Sequence, residues 1–138
     1  IDDREKLNLI LMDRYIISYE PYNFKGHVTD FPGTLAYGKK IDDLRRRYKA
    51  YLWDADFKDT KGAVVHAAGS CRYSVFLTSQ GKRAVVIVNM ESNKEVFASL
   101  ELKNPGKLVV ASPEQPAARV FSGKIQIPAR SAVVVMEQ

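Results

Sequence analysis

A chain of 138 residues that is 46% apolar and 10% aromatic can bury a core of its own and is too apolar to be a disordered segment. Its 21 basic and 16 acidic residues leave a formal charge of +5, but the basic cluster Lys39, Lys40, Arg45, Arg46, Arg47 and Lys49 is interleaved or followed by Asp42, Asp43, Asp54, Asp56 and Asp59. That pattern belongs to a solvated helix face; nucleic acid needs a coherent basic stripe with stacking aromatics, so we expect no nucleic-acid partner.

No apolar run approaches bilayer length and no charged-then-apolar leader opens the chain, so no membrane partner is expected. Cys71 stands alone, so no internal disulfide forms and the compartment is not read from cysteine usage. The first residue is Ile1 rather than Met, and we expect the natural start to lie upstream.

Taken in chain order, residues 3–12 form a short helix with Asp2 or Asp3 as cap and Leu7, Ile10 and Leu11 on one face. Residues 14–19 read as a strand, rich in isoleucine and tyrosine and stopped by Pro21. The stretch 22–33 carries Gly, Pro, Asn and aromatics and reads as a loop packed on neighbouring structure. Residues 41–53 carry the clearest helical period, through Ile41, Leu44, Tyr48, Tyr51 and Leu52, with Asp42 and Asp43 expected in the first turn. Residues 54–62 read as a linker.

From Ala63 the period becomes two. Tyr73, Val75 and Leu77 share a face opposite Ser74 and Thr78, and Gln80-Gly81 turns the chain into the apolar run 83–89, suited to a central strand covered on both sides. Val96, Ala98, Leu100 and Leu102 then alternate with Phe97, Ser99, Glu101 and Lys103. Further strands are expected at 108–111, 118–121, 124–127 and 132–136. The fold class is therefore mainly β: an antiparallel sandwich of about six to eight strands over 63–138, preceded by an α/β segment over 1–62.

Few residues suggest chemistry. His66 and Cys71 are five positions apart, but two ligands do not hold zinc, so no metal, no cofactor and no catalytic residue is assigned. The candidate binding residues are Glu20, Tyr19 and Tyr22, joined by Phe24. The aromatic rings offer flat apolar faces that suit the CH-rich faces of sugar rings, and Glu20 falls at a strand end, where ligand-contacting groups collect if the strand belongs to a parallel barrel. The competing reading is that these aromatics wedge the loop in place while Glu20 pairs with a nearby Arg or Lys.

The run RYIISYEP at 14–21, the run IDDLRRRY at 41–48 with YLW at 51–53, and the terminal strands KRAVVIVN at 82–89 and IQIPARSAVVV at 125–135 resemble the end of a glycoside hydrolase. In that group, which includes amylase-like and α-galactosidase-like enzymes, a (β/α)8 barrel is followed by a β-sandwich. The resemblance implies that 14–21 is the last barrel strand and its loop, and that 41–53 is the last barrel helix, with Tyr48, Tyr51, Leu52 and Trp53 helping to form the contact with the sandwich.

It also implies that both catalytic acids sit on earlier strands absent from this stretch, leaving Glu20 at most an auxiliary sugar contact. The expected function is then the non-catalytic C-terminal region of a carbohydrate-active enzyme, partnered by the barrel of its own parent chain. A secreted or periplasmic parent is compatible with this. The alternative is a carbohydrate-binding sandwich, for which Tyr73, Phe76, Phe97 and Phe121 are the available aromatics, and their alternation predicts burial instead. An immunoglobulin-like adhesion domain ranks last, lacking paired cysteines around a buried Trp. Apolar faces exposed in 1–62 would promote self-association.

Overall fold

The computed structural model describes residues 4–17, 27 and 30–138. Helix α1 (Arg4–Asp13) buries Leu7, Leu11 and Met12 on one side, as the three-to-four spacing of its apolar residues requires. It ends at Arg14, whose φ of 59° lies in the left-handed region, and the Tyr15 amide closes back onto the Ile10 carbonyl at 3.0 Å. The expected strand over 14–19 is not formed where it can be seen. Arg14 to Ile17 lie in no strand, and Tyr15 and Ile16 are exposed; Ser18 and Tyr19 fall outside the described residues.

Helix α2 (Pro32–Arg47) starts nine residues earlier than the periodicity suggests. Proline lacks an amide hydrogen and has a preset φ, so Pro32 fits the first turn, where that hydrogen has no helical acceptor. Asp42 and Asp43 consequently lie in the middle of α2, where they pair one turn away with Arg46 at 2.9 Å and Lys39 at 2.7 Å. The helix breaks at Tyr48 (φ −115°, ψ 42°) and resumes as α3 (Lys49–Leu52).

Among the described residues the strands are β1 (Asp56–Phe57), β2 (Val64–Ala67), β3 (Cys71–Leu77), β4 (Arg83–Asn89), β5 (Val96–Glu101), β6 (Leu108–Ala111), β7 (Arg119–Val120), β8 (Lys124–Ile127) and β9 (Ala132–Glu137). The protein is mainly β, with one antiparallel sheet in the order β1-β3-β4-β9-β6-β7 and a second in the order β2-β5-β8. The stretch that reads as a linker supplies β1, which pairs with the end of β3 through Asp56 opposite Leu77.

Alternation along β4 and β9 makes the larger sheet a central layer. Ala84, Val86 and Val88, opposite Met136, Val134 and Ala132, join Leu7, Leu11, Ile41, Leu44 and Leu52 in one core beneath the helices. Val85 and Ile87, opposite Val135 and Val133, join Ala98, Leu100 and Ile127 of the smaller sheet in a second core. Strand β4 is covered on both faces, as its unbroken apolar run requires. Each fully buried Leu, Ile or Val stabilises by about 1.5–3 kcal/mol, so both interfaces contribute substantially.

Two polar clusters fasten the layers. The Asn89 side chain, buried at the end of β4, donates to the carbonyls of Lys94, Ile127 and Pro128 at 3.0–3.1 Å and accepts from the Glu91 amide at 2.8 Å. At the opposite end of the same strand, Glu137 accepts from Arg83 Nε at 2.6 Å, the Arg83 amide at 2.9 Å and the Gly106 amide at 3.0 Å. Each cluster satisfies groups that would be costly if buried alone.

Candidate functional site

A groove of about 540 Å³ runs beside α2. Leu35, Gly38, Asp42 and Arg45 of α2 recur in steps of three and four, so one stripe of that helix forms a wall, which Lys49 of α3 continues past the break at Tyr48. Ile16 and Ile17 also line it, together with Trp53 just past α3. Leu35 and Ile17 are half-buried, while Ile16 and Trp53 are exposed, so the groove presents apolar surface to solvent.

The central polar group is Arg45. Its residue is 5% exposed, its Nη1 donates to the Tyr15 carbonyl at 2.6 Å, and its Nη2 donates to the Ile10 carbonyl. These bonds cap the end of α1 and hold the segment after it against α2. The guanidinium carbon lies 5.6 Å from the centre of the Trp53 ring. Nε has no acceptor, and no carboxylate among the described residues forms an ion pair with Arg45. Burial pulls the Arg45 pKa below its ordinary value, with Asp42 opposing that shift and Arg14 adding to it.

In the sequence Arg45 belongs to a run that reads as a solvated basic face, and this role is not evident there. A signal was present: position 45 is one turn after Ile41 and lies on the stripe that continues to Tyr48 and Leu52, so its side chain falls on the packed side of the helix. Its neighbour Arg46 points outward and pairs with Asp42.

A second polar centre lies under the start of the helices. The Tyr37 hydroxyl donates to the side-chain oxygen Oδ1 of Asn8, and Asn8 Nδ2 donates to the Arg130 backbone carbonyl at 3.0 Å. Arg4 sits 4.1 Å above the Tyr37 ring and reaches Glu114 at 2.6 Å, while Lys40 reaches the other Glu114 oxygen at 2.7 Å. Burial raises the Tyr37 pKa, with Arg4 opposing, and the Lys40 bond leads the lowering of Glu114. With its acids and bases paired to one another, this cluster joins helix to strand turn.

Glu20, Tyr19, Tyr22 and Phe24, the expected sugar contacts, lie outside the described residues. Of the residues expected to contact the strands, Leu52 is buried in the helix–sheet core, the Tyr51 hydroxyl donates to the Glu137 carbonyl and the Tyr48 hydroxyl to the Pro116 carbonyl, while Trp53 stays 42% exposed. His66 and Cys71 sit on different sheets. His66 lies 3.8 Å from Glu101, and Cys71 pairs with Asn89. Among the described residues no group of three or more His, Cys, Asp and Glu could hold a metal ion, and no helix is long and apolar enough to cross a membrane.

The burial expected of the strand aromatics needs one correction. Phe76 and Phe121 are buried and Tyr73 is half-buried, but Phe97 is 62% exposed. Val96, Ala98 and Leu100 take the inner positions of β5, so the intervening Phe97 must face outward. Its cross-strand neighbour there is Gln126, and Ser99 follows two positions on, opposite Lys124. Neither a protein-family model nor a curated protein matches this chain.

Proposed function

We propose that this chain is the non-catalytic C-terminal region of a carbohydrate-active enzyme of glycoside-hydrolase type. In this reading residues 1–62 close a (β/α)8 barrel, and the two stacked sheets form a β-sandwich that covers it. The observation that carries the reading is the helix–sheet contact. Helices α1 to α3 precede all the described strands in sequence and bury Leu11, Ile41, Leu44 and Leu52 against the larger sheet, as a final barrel helix leading into an appended sandwich would. Catalysis then belongs to acids upstream, and this chain contributes rigidity and cover.

The test is expression of the complete reading frame and of this chain, each assayed on a panel of chromogenic glycosides. The complete protein should release the chromophore and this chain should not. An upstream sequence without alternating strand and helix periods, or turnover by this chain alone, would refute the proposal. The alternative, a carbohydrate-binding sandwich, finds a foothold in exposed Phe97, and affinity electrophoresis in polysaccharide gels tests it: retardation of the chain that is lost in Phe97→Ala would favour it.

A further inference from the structure

We infer that the groove along α2 is a binding site for a small apolar carboxylate, a role separate from the proposed place of the chain in a larger enzyme. Its volume of about 540 Å³ falls within the range of about 300–1,000 Å³ common for small-molecule sites. Ile16, Ile17, Leu35 and Trp53 give it an apolar lining that would take a short alkyl or aryl body.

Charge selects the head group. Among the lining residues, Lys39, Arg45, Arg46 and Lys49 face a single carboxylate, Asp42. Lys39 and Lys49 are partly neutralised by Asp43 and Asp54, but those pairs are exposed and weakly coupled. Arg45 differs from these. It is a buried cation whose hydrogen bonds among the described residues go to backbone carbonyls alone, with Nε left without an acceptor. Asp42 lies near enough to act on Arg45 but makes its ion pair with Arg46, and a buried charge with no directly paired carboxylate is costly, so an anion in the groove lowers that cost. A neutral ligand would gain only the apolar contact, and an amine would be repelled.

Trp53 is the only tryptophan in the chain and lines the groove, so its fluorescence reports occupancy directly. Sodium hexanoate is titrated at constant ionic strength, with 1-hexanol and hexylammonium as matched neutral and cationic probes. We expect a saturable change with hexanoate and at least a tenfold weaker response to the other two. Arg45→Gln should weaken hexanoate binding at least tenfold, with circular dichroism checking that the variant is folded. Because Arg45 also caps α1, the exposed pair Arg46→Gln/Lys49→Gln supplies a second measure and should weaken binding several-fold without altering the fold. Equal responses to all three probes, no saturable response to hexanoate, or hexanoate affinity unchanged in a folded Arg45→Gln or in the double variant would overturn the inference.

Discussion

Removing the charge from Glu137 should produce a pH-dependent loss of stability that vanishes in acid. The Glu137 side chain is 10% exposed, and its carboxylate accepts from the Arg83 side chain and from the Arg83 and Gly106 backbone amides. The Arg83 bond leads the lowering of its pKa from 4.5 to about 2, with burial opposing and the two amide bonds adding to it. At about 1.4 kcal/mol per pH unit, that gap is worth roughly 3 kcal/mol.

A depressed folded-state pKa stabilises where the carboxylate is ionised in both states. The contribution should therefore be complete above about pH 5, decline as the pH falls through 4.5, and be gone below about 2. Glu137→Gln removes the charge at every pH and should cost roughly 3 kcal/mol near neutrality. Urea unfolding of both proteins from pH 7 to pH 2 gives the difference directly, and other carboxylates largely cancel in it. A wild-type–variant gap that stays constant across this range would refute the assignment of the shift to Glu137.

Leu44→Ala empties a fully buried site shared by α2 and the larger sheet and should cost about 2–5 kcal/mol. Because that core is continuous, far-ultraviolet circular dichroism and Trp53 fluorescence should lose signal in one coincident transition; two separate melts would show that the helices unfold alone. Asn89→Ala should cost roughly 1–3 kcal/mol or more in thermal melting, since three carbonyls lose their donor inside the fold, and a change under 0.5 kcal/mol would contradict the hub. Phe97→Ala should change stability by no more than about 0.5 kcal/mol in the same assay, because the ring faces solvent.

The strand half was legible before any coordinates. Period two is a local property: once Val85 and Ile87 face one way, Val86 and Val88 must face the other, and hydrophobic burial requires layers on both sides of β4. The same alternation put Val96, Ala98 and Leu100 inward, and it should have placed Phe97 outward with them. The helix over 41–47 was legible for the same reason. Its start at Pro32 was obscured because proline and glycine mark loops as often as first turns, and packing on α1 and the sheet settles the choice. The expected sugar contacts Glu20, Tyr19 and Tyr22 lie beyond the described residues, and the groove now offered as a binding site had no motif to announce it.

By itself, then, the order of side chains determined which faces of each strand and of α2 are apolar, because helix and strand periods repeat over a few residues. Tertiary structure decided which residues meet across long intervals of chain: Arg45 with the end of α1, Asn89 with the turn after β8, and Glu137 with Arg83. A lone arginine or asparagine carries no trace of its distant partner. Its role arises only when packing removes water and leaves one set of acceptors within reach.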